Sequence, residues 1–151
     1  MSARGKVLVM DDEQIILDMT REVLKFLDYE VMFAKDGLTA IDLYTREKAA
    51  GAPFDVVILD LSVPSGLGGR ETIVQLRKID PGVKAVISSG YSDDPAVRDF
   101  SNHGFDEKLT KPYKIHELRN MLEQVMNKPR AYCTGTLYFY MPDFWFPEWI
   151  F

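Results

Sequence analysis

The sequence predicts an α/β fold in which helices cover both faces of a doubly wound, five-stranded parallel sheet. Short apolar runs alternate along the chain with segments whose apolar residues recur at helical spacing. The clearest runs, VLVM, DVVIL and KAVI, are continuous rather than alternating, as expected for strands buried on both faces. Repeated strand–helix alternation favours parallel strands joined by helical crossovers.

Five segments are predicted as strands because each is a short apolar run that ends at polar or turn-forming residues. They are Lys6–Met10, Glu30–Ala34, Asp55–Leu59, Val83–Ile87 and Asp106–Leu109. Helical periodicity predicts helices over about residues 15–27, 38–48, 73–79, 95–100 and 115–125. The turn sequences Gly51-Ala52-Pro53 and Asp80-Pro81-Gly82 separate two of these helices from the strands that follow.

The composition is that of a globular protein. The chain has 151 residues, which suits one domain, and its 46% hydrophobic and 27% charged residues exclude a mainly disordered protein. A net charge of −5 argues against a dedicated nucleic-acid binder, which normally carries a basic face. The single cysteine, Cys133, allows no internal disulfide, and we recognise neither a signal peptide nor a membrane span. We therefore expect a cytoplasmic protein without direct nucleic-acid or membrane contact.

Polar side chains stand where four of the predicted strands end. The first strand ends in Asp11-Asp12, the third in Asp60 and the fourth in Ser88, and Lys111 closely follows the fifth. Because the carboxyl ends of parallel strands meet at one edge, where open α/β sheets bind ligands, we expect these groups to lie together. Each residue taken singly is also compatible with a helix cap, a turn or a solvated side chain. Their joint placement indicates a site.

The chemistry of this set points to phosphoryl transfer. Three carboxylates repel one another and need a cation, and an all-oxygen set without His or Cys suits Mg²⁺. A carboxylate can act as a nucleophile toward phosphorus. Phosphoryl transfer needs mainly alignment and charge neutralisation, which Mg²⁺ and a lysine supply, and the hydroxyl of Ser88 could donate to a phosphoryl oxygen.

These residues lie in the motifs VLVMDDE, DVVILDLSVP, VISSGYSDD and LTKPY, which resemble the response-regulator receiver domain of two-component signalling. The resemblance covers about residues 5–127, so we expect a receiver domain over 1–127. It implies a flavodoxin-like fold and a signalling switch rather than a turnover enzyme, with slow self-dephosphorylation at most. The long loop after Asp60 and the sequence SSGYSDD resemble receivers attached to hybrid sensor histidine kinases.

The resemblance also implies a phosphodonor and a set of metal ligands. Asp60 would accept a phosphoryl group from a phosphohistidine on a partner kinase or phosphotransfer protein. Asp12 would ligate Mg²⁺ directly and Asp11 largely through water. Asp60 itself and the backbone carbonyl of Ser62 would complete the protein ligands, and Ser88 would be the switch hydroxyl.

The last motif implies how the phosphoryl group is sensed. Lys111 would bind the phosphate, and Pro112 would follow it in the cis-peptide position typical of the family. The acyl phosphate would shift an existing equilibrium at the face made by the fourth helix, the fifth strand and the fifth helix. Lys108 stands where the family usually has a switch aromatic, and Tyr91 and Phe105 are the nearby aromatic residues.

Two other functions stay open at this stage. The chain could be a receiver-fold interaction or oligomerisation module that works without phosphorylation. It could also be an aspartate-nucleophile phosphatase, but that class expects Asp-x-Asp at the first strand, and here Asp11 and Asp12 are adjacent.

The resemblance does not extend to residues 128–151, an aromatic-rich extension. This segment holds nine of the 18 aromatic residues and both tryptophans. Pro129 limits the last helix, and Thr136–Met141 has strand propensity. A turn at Pro142-Asp143 could lead the chain back toward Phe144–Phe146 as a β-hairpin.

Four interpretations of the extension compete. It could pack on its own domain or on a second copy, giving a homodimer through residues 129–151. It could be a read-through scar without a selected function, an interfacial membrane anchor, or a peptide that docks on another protein. We expect the first, because a hairpin this apolar would not stay in water as a monomer.

Overall fold

One five-stranded sheet organises the described residues up to position 129. The computed structural model describes residues 3–64, 66–90, 93–129, 132–134 and 137–139. The strands of the sheet are β1 (Lys6–Met10), β2 (Glu30–Ala34), β3 (Val56–Asp60), β4 (Ala85–Ser89) and β5 (Glu107–Thr110). Their order is β2-β1-β3-β4-β5, and every neighbouring pair is parallel. The predicted parallel sheet is confirmed.

Helices cover both faces of this sheet, as predicted. They are α1 (Gln14–Phe26), α2 (Gly37–Ala49), α3 (Gly69–Ile79), α4 (Pro95–Arg98) and α5 (Ile115–Asn127). Successive strand residues point to opposite faces. Val7 and Val9 therefore pack with α1 and α5, whereas Leu8 and Met10 pack in the cluster that includes residues of α2, α3 and α4. The sheet is thus packed on both faces by apolar layers.

The last three strands lie one or two residues further along the chain than predicted. β3 includes Asp60, and β4 starts at Ala85 and includes Ser88 and Ser89. Asp60 pairs with Ser88, and Ser89 pairs with Thr110, so the ladder continues into the polar residues. An apolar run marks where a strand is buried, but backbone pairing decides where it ends.

The fourth helix is shorter than the predicted segment. It begins as predicted, since the Asp94 side chain accepts a hydrogen bond from the Ala96 N–H and Pro95 occupies the first turn. After Arg98 the chain passes into a 3-10 turn over Phe100–His103. Gly104 then ends this turn with a φ of 91°, which is a left-handed conformation that favours glycine.

The described part of the C-terminal extension contains a second, antiparallel pair of strands. They are β6 (Tyr132–Thr134) and β7 (Leu137–Phe139), and Cys133 pairs with Tyr138. The predicted turn at Pro142-Asp143 and the segment Phe144–Phe146 lie outside the described residues. Among the described helices, none is long and apolar enough to cross a membrane.

Candidate functional site

Three carboxylates meet at the carboxyl ends of β1 and β3, as the sequence predicts. One carboxylate oxygen of each of Asp11, Asp12 and Asp60 lies within 4.8 Å of the others. Asp11 and Asp60 are buried, with 2% and 5% of their surface exposed, whereas Asp12 is half-buried. The set offers only oxygen atoms, which are the ligands that hard divalent cations prefer. The arrangement therefore fits a cation such as Mg²⁺.

Lys111 lies between two of these carboxylates. Its Nζ is 2.5 Å from Asp11 Oδ2 and 3.2 Å from Asp60 Oδ1. The Lys111 N–H donates to the Ser89 carbonyl over 2.8 Å, which fixes the start of the loop after β5 beside β4. The Lys111–Pro112 peptide bond is cis, as predicted. The loop thus brings an ammonium group to the phosphoacceptor candidate.

Burial and charge change the proton affinity of both groups. Burial raises the pKa of Asp60 to about 6, and the nearby Asp11 carboxylate adds to the rise although Lys111 opposes it. Burial acts to lower the pKa of Lys111, but Asp11 and Asp60 outweigh it and the pKa lies above its usual value. A carboxylate whose charged form is disfavoured therefore faces a lysine that stays protonated. Such perturbed groups cluster at functional sites.

Ser88 lies at the end of β4, next to Asp60 in the sheet register. Its hydroxyl oxygen is buried and has no hydrogen-bond partner within the part of the chain that the structure describes. A buried hydroxyl without a partner costs free energy, so this group is suited to a ligand that supplies an acceptor. A cavity of about 450 Å³ adjoins the site and is lined by Asp60, Ser62, Lys111 and others.

The backbone after Asp60 is constrained by a glycine. A Cβ on Gly69 would lie 2.8 Å from the Asp60 carbonyl oxygen, so a larger residue would push α3 away from the strand end.

Ser62 is exposed, and its N–H reaches Asp60 Oδ1 only over 3.5 Å. Neither Asp11 nor Asp12 is the N-cap residue of α1, because Glu13 holds that position. Asp11 Oδ1 instead accepts the Glu13 N–H over 2.9 Å.

Sequence reasoning missed several residues around the cavity. Glu13 and Ile16 at the start of α1, and Ser89 and Gly90 after β4, line it beside the predicted residues. Glu13, Ser89 and Gly90 lie inside the quoted motifs, and Ile16 lies three residues after the first of them. Membership of a motif, or closeness to one, is therefore the signal that could have found them.

The residues near the usual switch-aromatic position are placed differently from one another. Lys108 is exposed on β5. Phe105 is buried in the apolar layer formed with α2 and α3. Tyr91 lies outside the described residues. None of these observations assigns a switch aromatic.

The fold and the acid–lysine site define a receiver domain. A family model of the response regulator receiver domain matches residues 7–123, and the chain belongs to that family. Sporulation initiation phosphotransferase F of Bacillus subtilis is 27% identical over 121 residues, which cover 80% of this chain and 93% of that protein. Receiver domains serve as phosphorylatable switches in two-component signalling, take phosphoryl groups from histidine kinases or phosphotransfer proteins, and bind Mg²⁺ at an acidic pocket.

Solved structures agree with this assignment. A receiver domain from Clostridium thermocellum has a TM-score of 0.72 and 29% identity, and the match covers 82% of this chain and 94% of that one. The receiver domain of a Pseudomonas aeruginosa sensor histidine kinase also has a TM-score of 0.72, with 82% of this chain and 98% of that one covered. At 20% identity this second likeness shows the fold alone, and that structure has a magnesium ion in its active-site cleft.

Proposed function

We propose that Asp60 is the phosphoacceptor of this receiver domain and that Lys111 and Ser88 bind the transferred group. The observation that carries the proposal is the buried carboxylate of Asp60, which lies 3.2 Å from Lys111 Nζ and beside two further carboxylates. A purely structural ion pair would not need three acids at one edge.

The transfer forms one bond and breaks another. An Asp60 carboxylate oxygen attacks the phosphorus of a phosphohistidine on the donor protein. The P–N bond breaks and its electron pair stays on the ring nitrogen, so a donor ring that carries a proton on its other nitrogen leaves as neutral imidazole. Asp60 becomes an acyl phosphate, which water later hydrolyses to carboxylate and inorganic phosphate.

The residues of the site divide the work of stabilising that step. Asp11, Asp12 and Asp60 would hold Mg²⁺ together with the Ser62 carbonyl, and the ion would neutralise charge on the phosphoryl oxygens. Lys111 contributes a fixed positive charge. Ser88 has a buried hydroxyl without a hydrogen-bond partner among the described residues, and it can donate to a phosphoryl oxygen.

The direct test is to incubate the protein with Mg²⁺ and acetyl phosphate and to measure its intact mass. We expect one added phosphoryl group that is lost on treatment with hydroxylamine, as an acyl phosphate should be. Asp60→Asn should remove the addition, whereas the exposed-site control Asp42→Asn should keep it. An unmodified wild-type protein, or equal modification of Asp60→Asn, would overturn the proposal.

The alternative is an interaction module with the same fold that works without phosphorylation. The retained set Asp11, Asp12, Asp60, Ser88 and Lys111 favours the phosphorylatable switch. Beryllofluoride, a mimic of the phosphoryl group, separates the two functions. The switch should give a Mg²⁺-dependent bound fluorine resonance, and the inert module should give none.

We further propose that residues 128–151 are a separate unit that mediates self-association in a cytoplasmic protein. Their aromatic content supports this, since apolar surface of that extent favours burial against another copy. Solution mass with and without residues 129–151 tests it. A dimer that becomes a monomer on truncation supports the proposal, and a monomer in both cases contradicts it.

A further inference from the structure

Two buried hydroxyl groups meet between α1 and the loop that carries Lys111. Thr20 Oγ1 and Tyr113 Oη lie 2.5 Å apart, although 93 residues separate them in the chain. Thr20 has no exposed surface and Tyr113 is 8% exposed. Over the described ranges neither hydroxyl has another hydrogen-bond partner, so each depends on the other.

This pair lies in an apolar layer that borders the charged site, since Asp11, Lys111 and Asp60 are close enough to influence the pKa of Tyr113. Tyr113 belongs to the layer that α1 and α5 form on the sheet, together with Leu17, Leu24 and Leu118. A hydroxyl buried there without a partner costs free energy, whereas a valine and a phenylalanine would fill the same space without any hydrogen bond. The hydroxyls add a geometric constraint, because their hydrogen bond forms only within a narrow range of distances between α1 and the Lys111 loop.

Both segments lead directly to the phosphoacceptor site. α1 starts just after the acid pair, and Asp11 Oδ1 accepts the Glu13 N–H at the start of the helix. Tyr113 lies two residues after Lys111, whose Nζ contacts Asp11 and Asp60. The Lys111–Asp11 contact and the hydroxyl pair therefore connect the Lys111 loop to two points of the β1–α1 segment, one just before α1 and one within it.

We propose that Thr20 and Tyr113 are positioning residues, whose hydrogen bond holds the Lys111 loop against α1 so that Lys111 Nζ stays at Asp60. This inference rests on the proposed roles of Asp60 and Lys111. Neither hydroxyl touches the reacting atoms.

The consequence is a loss of rate rather than a loss of metal binding. Lys111 has a long side chain, and its ammonium position depends on where the loop backbone lies. Small displacements of aligned groups lower the rate of a transfer step steeply, so we expect a fall of about 3- to 10-fold when the bond is removed. The carboxylates that would hold Mg²⁺ are on β1 and β3 and should keep their positions.

The experiment compares Tyr113→Phe, Thr20→Val and the double variant with the wild type. The rate of phosphoryl incorporation is measured at saturating acetyl phosphate, together with the Mg²⁺ concentration that gives half the maximal rate. Thr20→Ser retains the hydroxyl and should restore the wild-type rate. Tyr44→Phe is the matched control, since it removes a buried tyrosine hydroxyl that donates to Asp80 over 2.7 Å.

We expect both single variants to lose rate equally, the double variant to lose no more, and half-saturation by Mg²⁺ to stay within two-fold. Tyr44→Phe should lose stability but keep the rate. The NMR resonance of the Lys111 amide, recorded without metal, should move in Tyr113→Phe and not in Tyr44→Phe. Wild-type rates in Tyr113→Phe and Thr20→Val, or a rate loss shared by Tyr44→Phe, would overturn the inference.

Failure of the proposed function has a different signature. If wild-type protein gains no phosphoryl group, or if Asp60→Asn gains it equally, the proposed function is wrong and this inference falls with it. If the wild type is modified at Asp60 and the hydroxyl variants keep its rate, only the positioning role is wrong.

Discussion

Two buried aspartates at opposite ends of the sheet have opposite surroundings. Asp60 ends β3 and faces Asp11 and Lys111, and its pKa is raised to about 6. Asp80 precedes β4 and lies in a fully paired network. Tyr44 Oη donates to it over 2.7 Å, the Gly82 N–H over 3.0 Å, and Lys48 Nζ lies 3.2 Å away.

The pKa of Asp80 accordingly moves the other way. Burial acts to raise it, but the hydrogen bonds from Tyr44, Lys48 and the Gly82 N–H outweigh burial, and the pKa lies below its usual value. The protein therefore favours the charged form of Asp80 at the amino end of the sheet and disfavours the charged form of Asp60 at the carboxyl end. Asp80 stabilises the fold, whereas the cluster around Asp60 destabilises it until a ligand neutralises the charges.

The largest expected effect is at the stable end. Asp80→Asn should lower the free energy of unfolding by about 2–4 kcal/mol, because it leaves buried donors without a charged acceptor. The lowered pKa makes this contribution present above pH 3.8 and lost as the pH falls through the folded-state pKa. Urea unfolding at pH 7 and at acid pH measures both.

A matched variant separates this network from surface charge. Asp42 pairs with Arg46 over 3.5 Å on exposed α2, so Asp42→Asn should cost less than about 0.5 kcal/mol. Equal losses in the two variants would mean that Asp80 contributes no more than a surface pair.

Replacing Asp60 should change the free energy of unfolding in the opposite direction. Asp60→Asn should raise the free energy of unfolding by about 1–2 kcal/mol at pH 7 without divalent cations, since it removes a carboxylate that the fold disfavours. Because the folded-state pKa is raised, the wild type is relatively most stable below pH 3.8 and loses that stability as the pH rises through about 6. The advantage of Asp60→Asn should therefore vanish at acid pH. Unfolding curves that coincide at both pH values would contradict the strain at Asp60.

Much of the fold followed from the sequence because buried parallel strands leave continuous apolar runs. β1 and β2 have their predicted bounds, Lys6–Met10 and Glu30–Ala34. The site followed as well, since the topology brings strand ends to one edge, and Asp11, Asp60 and Lys111 do meet there. The strand order brings three motifs that are distant in the sequence into contact at one edge of the sheet.

Other features depended on information that no local pattern carries. The Thr20–Tyr113 bond joins residues 93 positions apart, and each residue alone is compatible with ordinary packing. The shortened α4 depends on the turn that ends at Gly104. β7 lies within the predicted strand Thr136–Met141, whereas no pattern predicted its partner β6 at Tyr132–Thr134.

Mg²⁺ should stabilise the protein only through the carboxylate cluster at the carboxyl end of the sheet. At ten times its dissociation constant, Mg²⁺ should raise the free energy of unfolding of the wild type by about 1.4 kcal/mol, because it binds the folded cluster and not the unfolded chain. Asp12→Asn should lose most of this increment. Asp80→Asn should keep all of it, although it starts from a lower stability.

Asp12→Asn and Asp80→Asn should differ in how much Mg²⁺ raises their free energy of unfolding. Asp12 contributes an oxygen to the cluster, whereas Asp80 contacts Tyr44, Lys48 and Gly82 at the other end of the sheet. Urea unfolding with and without Mg²⁺ gives both increments under one set of conditions. An increment retained by Asp12→Asn, or lost by Asp80→Asn, would mean that the cation acts on the whole protein rather than on its carboxyl-end charges.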